Sequence, residues 1–477
     1  DNPAIFSEMN KHKVMCLQSS LDELEKVKFM SVRRLMRYER IIVLENEPQM
    51  YALLYTLNKL ASNAGINRLQ VYAAYRNHLF YDHITGHIDQ LDRLSIAYIN
   101  PDALAIHELF THPHFVMLPN RKAVMPVPST RVQLSHAIGS AHVLLLGFNA
   151  LGVEFVKQFA NNGTINLDVI NRVSIISSSF ASQVDAFKLN YPQAWRALDM
   201  RGYQSGINSQ TAQEWLEASC REQAYTHVVF TEDSFEDNME FLLRNKALFS
   251  SCVVCFYSPH TEHRAVLEDV FRDSFFTFLT YGDAVSIYRP DIIFRDRVLQ
   301  MAKSFNLQYE IARRSFVISD RVKHSLSGMQ KSLALDPEKL WVEMCEHRRL
   351  SSTAMAMHQR TKKELIHLLY PDVSTNSNLR EEMIRRFGYA LDTLTDDHNT
   401  DTLLQDPLLS YLAGVEHLRW CNFHYMSDWT FGERDDANRV HDFLIADWDL
   451  FLSDESRRRT IIYDLLPYLM ITQDRAG

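Results

Sequence analysis

Short apolar runs recur along this chain, each followed by a stretch with helical spacing. Tyr38-Glu-Arg-Ile-Ile-Val-Leu-Glu-Asn46, Leu69–Ala74, Val143–Phe148, Arg172–Ser178, Tyr225–Asp233 and Ser251–Phe256 carry apolar cores of strand length. Continuous apolar runs of this length read as strands covered on both faces. The segments Gln49–Leu60 and Asp237–Leu248 place apolar residues three and four apart, as one face of a helix requires. Strands alternating with helices predict parallel sheets built from βαβ units.

The pattern repeats. Tyr38–Asn46 aligns without gaps on Tyr225–Asp233, and Leu17-Gln-Ser-Ser20 on Tyr203-Gln-Ser-Gly206. Asn100-Pro-Asp-Ala-Leu104 aligns on Tyr281-Gly-Asp-Ala-Val285. The second copy opens with Ala141–Phe155, a strand, a tight glycine turn and a helix start, as in a dinucleotide fold. Too little chain precedes Tyr38 to hold the same opening, so the first copy is expected to lack its first strand and glycine turn. With a start at Asp1 rather than Met and no signal-peptide pattern, a fragment of a longer protein is expected.

The glycine turn departs from the dinucleotide fingerprint. It reads Gly147-x-Asn149-x-x-Gly152, with Asn where the second Gly allows close backbone approach to a pyrophosphate. The next strand ends in Ser177, Ser178 and Ser179, with no carboxylate for a ribose hydroxyl. NAD is therefore not favoured as a cofactor. Another phosphate held by Gly147, Asn149, Gly152, Ser177 and Ser178, or a purely structural turn, stay open, and the structural turn is favoured. Cys252-x-x-Cys255 lies in a strand without a second cysteine pair and reads as core. The His-rich stretch His107–His114 reads as a helix end and loop. No nucleophile with an adjacent base stands out, which argues against an enzyme.

Composition changes the picture little. Of 477 residues, 46% are hydrophobic and 23% charged, ordinary values for a globular chain of about three domains. A net charge of −9 argues against a nucleic-acid partner. Six scattered cysteines point to reduced thiols. No apolar run reaches the roughly eighteen residues of a membrane span.

The last quarter breaks helical spacing. Glu416-His-Leu-Arg-Trp420, Asp428-Trp-Thr-Phe-Gly432, Arg439-Val-His441 and Trp448 place aromatics among Arg and His, suited to stacking a planar ring and holding an anion. His417, Trp420, Trp429, Gly432 and His441 resemble the RyR repeat, a helical module named for ryanodine receptors. Asp428 stands where that family usually has Gly. The stretch Trp341–Ala354 resembles the helix preceding the repeat. The tandem halves resemble the RCK, or TrkA-N, regulatory module of potassium channels, with Thr231-Glu-Asp-Ser-Phe-Glu-Asp-Asn238 matching its strand-end Thr, acidic pair and Asn.

Together these predict an α/β chain: two Rossmann-like parallel-sheet halves, the first truncated, over 1–128 and 129–325, then a mostly helical domain over 326–477. The resemblances imply a ligand-sensing regulatory region on the cytoplasmic face of a membrane, with a pore segment upstream of Asp1. They imply a purine or cyclic nucleotide ligand held by His417, Arg419, Trp420, Trp429, Gly432, Arg439 and His441. Protonated His417 or His441 would add to the arginines' charge. On a helix over 410–426, His417 and Trp420 share a face and Arg419 points elsewhere. The resemblance also implies a homo-oligomer through RCK-type helices, for which 286–306 reads as an apolar candidate with Ile287, Ile292, Ile293, Val298 and Leu299. An NAD-dependent oxidoreductase and a non-catalytic scaffold are the alternatives.

Overall fold

Val14–Gln18 (β1), Arg40–Leu44 (β2), Leu69–Ala74 (β3) and Leu94–Ile99 (β4) pair in parallel in chain order. The computed structural model describes residues 14–18, 40–44, 47–66, 69–74, 91, 93–118, 130–232, 234–294, 296–315, 335–369 and 404–469. The helix Glu47–Asn63 follows β2 and buries Met50, Leu53, Leu54 and Leu57 in a cluster with Ile41, Val43 and Val71. That spacing of three and four is the reason the segment is helical and faces the sheet.

The second sheet contains His142–Leu146 (β5), Arg172–Ser177 (β6), Asp199–Gln204 (β7), His227–Phe230 (β8), Val253–Tyr257 (β9) and Thr277–Tyr281 (β10). Its order is β10-β9-β8-β5-β6-β7, and the pairs from β7 through β9 are parallel. This is the doubly wound nucleotide-fold order, with its switch point between β5 and β8. All five residues of β5 are buried, as a central strand covered on both faces demands. The α/β class with two parallel sheets and a helical C-terminal region thus matches the sequence pattern.

The repeat shows in strand register. β2 begins at Arg40 and β8 at His227, the two positions that the sequence aligns. β1 and β7 end at Gln18 and Gln204, also aligned. In the second sheet β5 and β6 separate β7 from β8, whereas β1 pairs directly with β2. Among the described residues the first sheet therefore lacks the counterparts of β5 and β6.

The described chain divides into two compact units: 1–110 with 257–270 and 280–295, and 111–256 with 271–279 and 296–477. The described C-terminal helices share the second unit with most of the second sheet.

The stretch 286–306 is not one helix. It breaks into Ala284–Ile287, Pro290–Ile293 and the start of Asp296–Ser315. Asp283 caps the first, and Pro290 opens the second where its missing N–H costs nothing. Ile287, Ile292 and Ile293 are buried, and Val298 packs on the Ala302–Phe305–Met355 cluster. Val298 and Leu299 are partly buried. Among the described residues no helix is long and apolar enough to cross a membrane.

Within the second unit, the helix Pro407–Tyr425 packs against Ala150–Asn162 and Ile461–Leu469. Asp406 caps it and Pro407 starts it. Residues on nearly every side of it are buried, as in a helix at the centre of a core. A Cβ on Gly414 would lie 2.7 Å from the end of the Leu167 side chain and 3.1 Å from Trp448, so glycine lets these side chains pack close to the helix.

Candidate functional site

The turn after β5 stands where a dinucleotide fold receives its pyrophosphate. Gly147 has φ +99°, and a Cβ there would lie 2.6 Å from Thr231 Oγ1 and 2.8 Å from Glu232 Oε1. Asn149 is the N-cap of Ala150–Asn162: its Oδ1 accepts from Gly152 N at 3.0 Å and its Nδ2 donates to Thr231 O at 2.7 Å. The helix end that would receive a pyrophosphate is thus capped internally, and the Glu232 carboxyl lies against Gly147. Ser177 is buried with its Oγ 3.3 Å from Ser179 Oγ, and Ser178 is exposed. Asp233 lies outside the described residues. This geometry favours a structural turn. Calorimetry should detect no NAD or NADH binding tighter than about millimolar, a threshold of roughly −4 kcal/mol; submicromolar affinity would revive the oxidoreductase.

A cavity of about 370 Å³ opens among the C-terminal helices, inside the range of about 300–1,000 Å³ usual for small-ligand sites. Asp296–Ser315 supplies Tyr309 and Glu310, and Glu346–Met357 supplies Arg348, Ser351 and Ser352. Pro407–Tyr425 supplies Glu416, His417, Arg419 and Trp420. Arg434, His441 and Phe443 enter from the loops beyond it, and Tyr463 and Asp464 from the last helix.

The inner wall is charged and almost wholly buried. Arg419 is 2% exposed, and its Nε donates to Glu416 Oε1 at 2.9 Å. Its Nη1 is buried with no hydrogen-bond partner among the described residues. Arg419 thus lies in the same wall as His417 and Trp420, not on a separate face, because residues 416, 419 and 420 share one side of a helix. Behind the wall, Lys362 Nζ lies 2.7 Å from Glu416 Oε2 and 3.1 Å from His358 Nδ1. His358 Nε2 donates to Thr164 O at 2.8 Å, and Asn422 Nδ2 to Thr164 Oγ1 at 3.0 Å. The polar chain therefore runs from the cavity wall to the loop that ends Ala150–Asn162.

The histidines are neutral parts of this wall. His417 Nε2 donates to Ile445 O at 3.0 Å, and burial lowers its pKa to about 4. His441 Nδ1 accepts from Phe443 N at 3.0 Å, and burial followed by Arg434 lowers its pKa. Neither supplies the cation that the sequence pattern suggested. Asp464 Oδ2 stands 3.8 Å from His417 Nδ1. Burial, reinforced by the Glu416 charge, pushes the Asp464 carboxyl well above its ordinary range and favours the protonated acid.

Trp420 is half-buried in the cavity wall, with the His417 ring stacked at 5.7 Å between centroids. Trp429 does not line the cavity: it is 6% exposed in a cluster with Cys421, Tyr425 and Leu444, stacked on His347 at 4.7 Å. Asp428 before it has φ 59°, the left-handed conformation that a glycine takes easily and Asp tolerates. Arg439, also left-handed at φ 56°, is exposed and donates to Ser427 O. Gly432 packs under Val440, whose Cγ1 would lie 2.7 Å from an added Cβ. Arg439 and Gly432 shape the loop outside the cavity. Arg348 and Arg434 instead bring cations to it; Arg434 Nε donates to Asp436 Oδ1 at 3.1 Å, and Arg348 Nη2 faces Asp436 Oδ2 at 3.9 Å. Nothing in the local sequence marks Arg434, and Arg348 is one of two adjacent arginines on a helix.

Set against protein-family models, characterised proteins and solved structures, the chain matches none of them.

Proposed function

We propose that this chain is the ligand-sensing regulatory region of a larger, membrane-associated ion-channel protein, and that a purine nucleotide or cyclic nucleotide derivative binds in the C-terminal cavity. The observation that carries the ligand is Arg419: a buried guanidinium with a free N–H, beside an accessible indole. A buried donor without a partner is costly, and a ligand acceptor would relieve it. The RCK-like tandem sheets and the RyR-like C-terminal pattern support the regulatory role, and the polar chain from Glu416 to Thr164 gives ligand binding a route to the sheet. The reading includes self-association and a pore encoded upstream of Asp1, on whose cytoplasmic face this region would lie.

Calorimetry against adenine and guanine nucleotides, linear and cyclic, tests the ligand. Base–aromatic stacking contributes about 1–3 kcal/mol, so Trp420→Ala should weaken binding roughly 5- to 150-fold. Because the ring also packs on His424 and on the Cys421–Trp429 cluster, melting is measured on the same sample, and affinity is compared for the folded fraction. Unchanged affinity in a folded Trp420→Ala, together with Arg419→Lys, would move the site elsewhere.

A further inference from the structure

The cavity is graded from end to end. Its inner wall holds Glu416, His417 and Arg419, exposed by 1%, 3% and 2%. At its rim the side chains of Arg348 and Arg434 are 62% and 51% exposed, and both turn to Asp436. An inner phosphate would surrender its water and lie beside the Glu416 carboxylate, a heavy desolvation cost, where the two nearby cations, Arg419 and Lys362, are already engaged with that carboxylate. Arg419 already directs Nε to Glu416, so the edge through which it would grip a phosphate bidentately is engaged, and its buried Nη1 is left to meet a ring acceptor. Asp464 and Glu310 place further carboxyl groups in the wall. At the rim the balance reverses. Arg434 and Arg348 hold Asp436 through solvated contacts, which a phosphate can replace at little cost.

Resting on the nucleotide reading above, we infer that the ligand enters ring-first: the base lies along Trp420 with an acceptor on Arg419 Nη1, and the phosphate stays at the rim, taking Arg348 and Arg434 from Asp436. The specificity of the site then divides in two. Arg419 and Asp464 read the ring, and Arg348 and Arg434 read the phosphate.

The test is calorimetry on the whole chain with adenosine, guanosine, their 5′-mono- and diphosphates, their cyclic monophosphates, and inorganic phosphate. In an Arg348→Gln/Arg434→Gln variant, nucleoside affinity should be unchanged. Diphosphate affinity should fall roughly tenfold or more, to near that of the nucleoside, and lose its salt dependence. Arg419→Lys, which keeps the charge beside Glu416, should weaken nucleosides and nucleotides alike. Should that variant melt early, the solvent-exposed rim variant decides by itself. The opposite division, with the rim variant binding diphosphates normally, would establish a phosphate-first ligand and overturn the inference. Wild-type protein that binds neither nucleosides nor nucleotides would overturn the nucleotide reading itself.

Discussion

Glu416→Gln should lower stability by about 3–5 kcal/mol, because it leaves two buried cations without their anion. Lys362 and Glu416 are 0% and 1% exposed, and Arg419 shares the same carboxylate. With a stability change of 1 kcal/mol worth about 2–4 °C in a domain of this size, the melting temperature should drop by roughly 6–20 °C. Adding Lys362→Met should recover part of the loss, since one unpaired cation is removed. The same network sets an acid limit. Burial opposes ionisation of Glu416, but Arg419 and then Lys362 outweigh it and hold its carboxyl well below the usual range. A carboxyl with a depressed folded pKa contributes fully above its unfolded value of about 4.5, and the contribution is lost as pH falls below that. His358 acts earlier. Burial, with Lys362 adding to it, lowers its pKa to about 4, against about 6.5 unfolded. The folded state therefore loses stability as pH falls from about 6.5 towards 4. Melting curves from pH 8 to about 2 should show both losses in the wild type, and the one below about pH 4.5 should be reduced in Glu416→Gln. A variant within about 2 °C of wild type at pH 7 would show that the network is not what holds this core.

Trp429→Ala should also cost about 3–5 kcal/mol, as truncation of a buried tryptophan usually does. The indole is 6% exposed and fills the space between Cys421, Tyr425 and Leu444, with His347 stacked on it. Since it lies off the cavity wall, the folded fraction should bind ligand as tightly as wild type. Melting and calorimetry on one sample separate this residue from Trp420, for which the opposite pattern is expected. A Trp429→Ala protein that melts normally and loses affinity would make Trp429 a ligand contact and move the site towards the Asp428–Gly432 loop.

The sheets were legible in the chain because their signals are local and dense. β5 reads as five consecutive buried positions, and the helix after β2 as a run of apolar residues three and four apart. The aligned starts of β2 and β8 were equally plain. The dinucleotide turn was half legible. Asn149 in place of glycine announced a departure, but the reason it closes the site lies across the sheet, in Thr231 and Glu232. No spacing rule connects those residues to Gly147, since the strand order that brings them together is a tertiary fact.

The candidate site divides along the same line. The motif around His417, Arg419 and Trp420 located one wall, because those residues sit within one helical turn of one another. It also drew in Trp429, Gly432 and Arg439, which are near in sequence but lie off the cavity wall. Local sequence alone determined the α/β class, the repeat, and which helix carries the Trp420 ring. Tertiary packing alone decided that Arg348, Arg434 and Asp464 join that ring, that Trp429 does not, and that both pocket histidines are neutral. The physical reason is that periodicity reports which side of an element is buried, whereas a cavity is made where the buried sides of several elements fail to meet.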